Sequence, residues 1–567
     1  MSQEQKLQLQ EKGLLSRISE LELEIKKLKD KKYGLIWEDK TEDVVLQCQE
    51  NIPILREVKN RKIVSDNSSP NNLLIEGDNY HSLSVLNYTH KGKVDVIYID
   101  PPYNTGNNSW RYNNDYIDKE DDFRHSKWLS MMCSRLKLAK GLLSPQGALV
   151  CAIDENELNT LGLLLQEIFY GWAIDCVTVI HNQGGIQGTN FSYNHEYIYF
   201  VYPRKSGYIN PESRSGEELT PFRDWGKENS KREGSPNCFY PIIFDGDKIV
   251  GFGEVPKDTF HPKSANESKN SLTYIYPLDG NGIERRWRFA RDTVETIADE
   301  LVVKKQGEQY SVLRGKKNYI RKTVWDDSRF NANIYGTQLL SQIIPDKFPF
   351  PKSLYLVKEC LIAVEQNKKA TVLDFFAGSG TTGHAVLELN KQDGGNRNFI
   401  LCTNNENKIC EEVTYERIKR VSKGYKNKKN EKIDGMGGNL YYYKTDLVNV
   451  DKLHKISDEA KIKVTYQAGE MIAVREDTLN ELEKNDWWQI FEGNNKITAI
   501  YFKEDKEKIK DLIKKLIFKI KDEKTSVSLY IFGWGKNEYK NEYSSGLIRV
   551  EDIPEPILEV YKEINRL

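Results

Sequence analysis

The sequence predicts an α/β protein built on a parallel sheet, interrupted by an irregular insert and followed by a helical tail. Three observations point to it. Short apolar runs alternate with helical periodicity from about residue 70 to 205. That rhythm disappears over 206–335, and it resumes between 354 and 403 around a glycine-rich turn. Near-continuous apolar strands alternating with helices are the mark of a parallel sheet covered on both faces.

The elements follow in chain order. Leu73–Ile75 is a short apolar strand, and Val94–Ile99 (VDVIYI) is a stronger one that ends at Asp100-Pro101. Leu129, Met132, Leu136, Ala139 and Leu143 recur at helical spacing in 128–143. A strand at Ala148–Ile153, a helix through Leu158–Ile168 and β-rich stretches near 176–180 and 197–202 come next. Residues 206–335 are rich in Gly, Pro, Asn and aromatics and read as an inserted mixed domain. LYLVKECLIAVEQ (354–366) returns to helical spacing. The strand Thr371–Phe375, a glycine turn, a helix and the strand Phe399–Thr403 complete the second α/β segment. Beyond about 450 the chain is rich in Lys and Glu with amphipathic runs, notably 504–521, and predicts a separate helical interaction domain. At the other end, Leu14, Ile18, Leu21, Ile25 and Leu28 give two heptads, a helix that packs on its own domain or pairs with a second chain. The expected division is therefore 1–40, 41–205, 206–335, 336–449 and 450–567.

Composition narrows the function classes. A chain of 567 residues implies three or more domains, and 38% hydrophobic residues supply cores that a disordered chain lacks. Lys and Arg (83) cancel Asp and Glu (84), so a nucleic-acid surface must come from local clustering. The eight Cys form no CxxC pair, which argues against structural zinc and disulfides, and no metal is expected. No run approaches the ~18 apolar residues of a membrane span, so a cytosolic protein is expected.

Two loops carry chemistry. Asp100-Pro101-Pro102-Tyr103 follows the strand VDVIYI, where ligands bind in open α/β sheets. The prolines fix φ and remove two donors, leaving carbonyls to accept. A carboxylate and a carbonyl beside an aromatic face suit the exocyclic amino group of a flat heterocycle. A rigid turn that merely caps a strand is the plainer alternative. The second loop runs from Asp374 through Phe376, Gly378, Gly380 and Thr382 to Gly383, and it literally matches GxGxxG. His384 stands where a phosphate-cradling loop needs Lys, which argues against an ATPase. A nicotinamide dehydrogenase stays open on this motif alone. Glu406, beyond the next strand, is placed to hold ribose hydroxyls. Asp78, in LIEGD, either contacts a cofactor or only turns the chain.

DPPY together with D-x-F-A-G-S-G resembles the DNA amino-methyltransferases, and the order of the two loops resembles their beta group. The stretches KYGLIWEDK (32–40), LLIEGDNYHSL (73–83), YIDPPYNTG (98–106), NCFYPI (237–242), RRWRFARD (285–292), TNNENKICEEVTYERIKR (403–420) and NLYYYKTD (439–446) resemble the modification (Mod) subunits of type III restriction–modification systems. The resemblance implies a Rossmann-like, circularly permuted methyltransferase sheet with a target-recognition insert, using S-adenosylmethionine on N6 of a flipped adenine in double-stranded DNA. A cytosine-N4 enzyme, or an adenine enzyme without a restriction partner, is the alternative. Asp100, Pro101, Pro102 and Tyr103 would be catalytic. Asp78, Lys352, Asp374, Phe376, Gly378, Gly380, Thr382 and Glu406 would hold the cofactor, with Lys352 neutralising its methionine carboxylate. The family usually has Lys-Pro here, whereas Lys352 is followed by Ser353. The implied partners are a second copy and a helicase-nuclease restriction (Res) subunit, in a prokaryotic cytosol. Residues 285–322 hold eleven Lys and Arg against five acids, so Arg285, Arg286, Arg288, Lys316, Lys317 and Arg321 are expected on DNA phosphates. His195 and Glu196, in YNHEY, read as satisfied scaffolding and are assigned nothing.

Overall fold

A computed structural model describes residues 17–19, 21–22 and 35–566, except 66–68, 114, 188–189, 214–218, 227, 308, 317, 346–347, 451–452, 454–455, 504, 521–524 and 534–538. Most of the expected N-terminal heptad helix, including Leu14, Ile25 and Leu28, lies outside the described residues, as does Lys317.

The chain divides into two compact units, residues 1–208 with 322–567, and residues 209–321. The first is organised by a ten-stranded sheet. Its strands are β1 (Asn51–Glu57), β2 (Asn71–Glu76), β3 (Val94–Ile99), β4 (Leu143–Ile153), β5 (Ala173–Ile180), β6 (His195–Tyr202), β7 (Val324–Trp325), β8 (Thr371–Asp374), β9 (Asn398–Thr403) and β10 (Asn439–Asn449). The order across the sheet is β1-β10-β2-β9-β8-β3-β4-β6-β5-β7. From β10 to β4 all neighbours are parallel, while β6 runs antiparallel to β4 and β5. The central strands bury nearly every residue, as their apolar runs predict: Val96, Ile97, Tyr98 and Ile99 of β3, and Val372 and Leu373 of β8.

Helices cover the sheet. They are α1 (Asn79–Thr89), α2 (Arg124–Leu142), α3 (Leu158–Ile168), α4 (Leu354–Val364), α5 (Thr381–Asp393) and α6 (Tyr415–Lys423). Register pairs Val372 with Val96 and Leu373 with Ile97, so β8 and β3, which arrive from distant parts of the chain, lie side by side. From this junction the chain proceeds outward in opposite directions, β3 to β4 and β8 to β9. This is the topological switch point at which open α/β sheets bind ligands.

The region after 450 departs from the expected helical tail. It contains a five-stranded sheet, β11 (Asn480–Lys484), β12 (Trp488–Gly493), β13 (Lys496–Tyr501), β14 (Ser526–Phe532) and β15 (Ile548–Ile553), paired in that order. The Lys/Glu richness that suggested helices belongs mainly to α7 (Lys506–Lys519), whose Ile509, Leu512 and Leu516 pack inward. The strands themselves are β-branched and aromatic (KITAIY, SVSLYIF). Nor does the region stand alone. The final helix α8 (Glu555–Ile564) buries Ile557, Leu558 and Tyr561 in the same core as β1 and α1. Tyr561 Oη donates to the Pro53 carbonyl at 2.5 Å.

The second unit, residues 209–321, is narrower than the expected 206–335, since residues 322–335 group with the first unit. It holds a three-stranded antiparallel sheet (219–221, 309–315, 301–306) and a four-stranded one (249–252, 242–244, 272–275, 266–269). Phe222, Tyr240, Ile242, Phe244, Trp287 and Val312 form its core.

Candidate active site

Both chemical loops emerge at the switch point. The glycine loop follows β8 and opens α5. Gly378 and Gly380 lie in the left-handed region, at φ +47 and +77, where a side chain would add strain. Gly383 has another reason to be glycine: a Cβ there would sit 2.7 Å from Ile418 Cδ1 and 3.0 Å from Leu401 Cδ1. Its absence lets α5 pack closely on the sheet.

Asp374 builds this loop from within. Its Oδ1 accepts the Phe376 N–H at 2.9 Å and its Oδ2 accepts the Thr382 hydroxyl at 2.5 Å. Asp374 and Thr382 are both buried. Burial outweighs these hydrogen bonds and pushes the Asp374 carboxyl up to about 7. The expected cofactor contacts Asp374 and Thr382 are thus directed at each other, and the groove beside them is lined by other residues.

That groove is lined among others by Asp78, His81, Asp100, Pro102, Arg135, Phe376, Gly378, Asn404 and Glu406. It runs past the carboxyl ends of β2, β9, β8 and β3. Asp78 caps α1, its Oδ1 accepting the Tyr80 N–H at 2.7 Å with Arg135 Nη2 at 3.4 Å. It therefore turns the chain and faces the groove at once. Glu406 sits three residues beyond β9 in a short 3-10 turn. His81 Nε2 is buried without a hydrogen-bond partner among the described residues. Burial also lowers the His81 pKa, so the ring is neutral near pH 7. A groove with an orphaned polar atom, acids at two strand ends, a phenyl ring and close backbone fits a polar ligand carrying an adenosine and an amino-acid end.

The DPPY loop continues from β3 into the same groove. Pro101 is buried, while Asp100, Pro102 and Tyr103 are half-buried. The Pro102 carbonyl is already engaged: Trp128 Nε1–H of α2 donates to it at 2.6 Å. It therefore anchors the loop to a fully buried indole. Asn104, at φ +57, donates to Glu157 at 2.5 Å and turns the chain away.

Lys352 stands at this loop. It donates to Glu196 Oε2 and to Tyr103 Oη, and its Nζ lies 3.4 Å from Asp100 Oδ1 and 4.6 Å from the Tyr103 ring centroid. Tyr103 Oη in turn donates to Glu196 Oε2 at 3.1 Å. Lys352, expected on a cofactor carboxylate, is paired at the DPPY loop with the buried Glu196 and the half-buried Asp100. Glu196, left unassigned from sequence, is the residue that was missed. Its position on β6, beside β4, brings it to the site, and no local motif encodes that pairing. Burial opposes the charge on Glu196, but Lys352, His181 and the Tyr103 hydroxyl outweigh it and hold the carboxyl below its ordinary range. Burial raises Asp100, and Lys352 only partly offsets it.

The basic segment of the second unit is less free than its composition implies. Arg285 pairs with Asp279 at 2.8 Å, Arg286 with Asp224 at 2.9 Å and Arg314 with Glu300 at 2.6 Å. Arg321 Nε donates to the Asn210 carbonyl at 2.7 Å, and Lys316 lies 5.1 Å from the Tyr319 ring centroid. Arg288, Lys304 and Lys305 are exposed.

A family model described as DNA methylase matches residues 94–416. The EcoPI Mod subunit of a type III restriction-modification enzyme, from Escherichia phage P1, is 29% identical over 449 residues. The alignment spans 70% of this chain and 67% of that one. The type II methyltransferase M.KpnI of Klebsiella pneumoniae is 32% identical over 413 residues, 67% of this chain and 93% of the relative. The StyLTI Mod subunit of Salmonella typhimurium is 30% identical over 399 residues, 64% and 57% of the two chains. A solved M1.HpyAVI–SAM complex matches 61% of this chain and 98% of its own, at 14% identity and a TM-score of 0.29.

Proposed function

This chain belongs to the DNA methylase family, and from that premise we propose that it methylates N6 of adenine in double-stranded DNA as the modification subunit of a type III restriction–modification system. Its methyl donor is S-adenosylmethionine. One observation carries the choice of chemistry: a half-buried aspartate and an aromatic ring close the central strand of the sheet, beside the glycine loop and its groove.

Bound S-adenosylmethionine supplies a sulfonium methyl group, and the groove residues Asp78, His81, Phe376, Gly378, Gly380 and Glu406 would hold it. The chain's own groups must activate a poor nucleophile. An adenine amino nitrogen shares its lone pair with the ring, so acceptors for its two N–H bonds draw density back to nitrogen. Asp100 offers a carboxylate, and the Pro101 carbonyl is the second acceptor, since that of Pro102 is held by Trp128. Positioning of this kind supplies much of the rate. The base reaches the site only when flipped from the duplex, at a cost of a few kcal/mol. Stacking on Tyr103 returns ~1–3 kcal/mol. Asp100 then accepts the proton that the methylated nitrogen releases.

The insert would supply target recognition, with phosphate contacts from Arg288, Lys304 and Lys305 rather than from the internally paired Arg285 and Arg286. A second copy and a Res subunit are the proposed partners, and the proposed compartment is the prokaryotic cytosol. No helix among the described residues is long and apolar enough to cross a membrane.

A second reading rests on the type II relative, 93% of which is covered: a methyltransferase acting without a restriction subunit. Incubation with duplex DNA and tritiated S-adenosylmethionine, followed by base analysis, tests the chemistry. Label in N6-methyladenine is expected, and label in N4-methylcytosine would overturn the target assignment. Co-purification of a helicase-nuclease from the native host separates the two assemblies.

A further inference from the structure

Two carboxylates and one ammonium meet at the DPPY loop, and their burial differs in a telling order. The Glu196 side chain is 6% exposed, that of Lys352 13% and that of Asp100 28%. The ammonium is bonded to the deepest carboxylate and to Tyr103 Oη, while Asp100 Oδ1 stays 3.4 Å away. At that separation Lys352 and Asp100 form a looser ion pair than Lys352 makes with Glu196, and the Tyr103 hydroxyl also lies beside Asp100.

We propose that Glu196 is a positioning residue for methyl transfer, which holds Lys352 off Asp100 so that the Asp100 carboxylate stays charged and open to the amino group of the target base. The proposal rests on the amino-methyltransferase reading given above. Without Glu196, Lys352 has one carboxylate left within reach, and it would close on Asp100 as a buried ion pair in competition with the substrate amine. Without Lys352, the half-buried Asp100 and the buried Glu196 become two carboxylates sharing one site, an arrangement that raises one of them.

Among the described residues the other basic group acting on Glu196 is His181. Around the cluster stand Tyr98 and Tyr103 from β3 and its loop, Cys151 and Asp154 from β4 and its end, His181 after β5, His195 on β6, and Asp374 of β8. Burial lowers the His181 pKa, so it is neutral where the enzyme would work. Lys352 is the one ammonium that faces both carboxylates among the described residues.

The two substitutions therefore move the acid limb of activity in opposite directions. Activity is lost as pH falls and Asp100 takes up a proton. Glu196→Gln removes a negative neighbour and releases Lys352 to Asp100, so the limb shifts to lower pH while the plateau rate drops roughly tenfold, the scale of one hydrogen bond to a charged group. Lys352→Met leaves the carboxylates uncompensated, so the limb shifts to higher pH. Lys352→Arg keeps the charge and stays near the wild-type limb.

The test measures kcat against pH for wild type and the three variants, with saturating tritiated S-adenosylmethionine and unmethylated double-stranded phage DNA long enough to offer many sequence contexts. Calorimetric titration with S-adenosylhomocysteine runs in parallel and should give unchanged affinity. Opposite shifts for Glu196→Gln and Lys352→Met support the proposal. Coincident limbs with a uniform loss of rate would mean that Glu196 is scaffold, and would overturn it. If Glu196→Gln does not fold, the contrast between Lys352→Met and Lys352→Arg decides: equal limbs overturn the proposal. No transfer by the wild type would instead contradict the underlying function.

Discussion

Asp100 and Asp374 stand at the carboxyl ends of β3 and β8, two adjacent parallel strands. The Asp100 carboxylate opens to the groove beside an ammonium. That of Asp374 is sealed, both oxygens accepting hydrogen bonds from Phe376 and Thr382 with no cation among its partners in the described residues. The same residue type at the ends of neighbouring strands thus stands in opposite surroundings. In the proposed reaction one would present an acceptor to the substrate, while the other shapes the backbone of the glycine loop. Charge compensation and direction separate them, and sequence position does not.

Several substitutions would break or sharpen this contrast. The largest effect is expected at Asp100: Asp100→Asn should lower kcat for methyl transfer by roughly 10²–10⁴, the range of a general acid–base group. Its affinity for S-adenosylhomocysteine, read by calorimetry, should stay near that of the wild type. A comparable loss of affinity would erase the distinction between the two aspartates.

A smaller effect is expected where the glycine loop meets α5. Gly383→Ala places a methyl 2.7 Å from Ile418 Cδ1, and overpacking of this kind costs ~1–3 kcal/mol. Thermal unfolding should register it as a lower Tm, accompanied by weaker cofactor binding.

Asp374 should show itself through pH. Its carboxyl is raised from an ordinary 3.8 to about 7, so the folded chain holds the proton more tightly than the unfolded chain does. The stability it contributes is full below about pH 4 and is lost as pH rises towards 7. Asp374→Asn cannot ionise, so its Tm should change less than that of the wild type between these limits. An identical pH dependence would refute the sealed-carboxyl assignment.

The smallest effect concerns the insert. Arg288→Ala should weaken binding to all DNA sequences alike and lower the salt slope by about one. Arg286→Ala, which removes the partner of Asp224, should act chiefly on stability.

Much of this was legible in the sequence where chemistry is local. The apolar runs of β3, β8 and β9 and the helical spacing of α2, α3 and α4 predict those elements within a few residues, because burial on both faces leaves a direct trace in the residue pattern. The glycine loop and DPPY are likewise contiguous. What escaped depends on distant pairings. Glu196 joins the site only because β6 pairs with β4, and Lys352 turns to the DPPY loop because a buried acid awaits it. The tail after 450 reads as helical from its sequence because the charged α7 masks the strands on either side of it. In the insert a sum of charges could not show that Arg285, Arg286 and Arg314 each face a carboxylate.

The central claim is that Asp100 serves methyl transfer to adenine at a defined DNA site. Long-read sequencing of genomic DNA from cells expressing the wild type and, separately, Asp100→Ala tests it most directly. One recurring sequence motif carrying N6-methyladenine is expected in the wild-type strain and none in the variant. A motif that persists in the variant, or one that carries N4-methylcytosine, would contradict it.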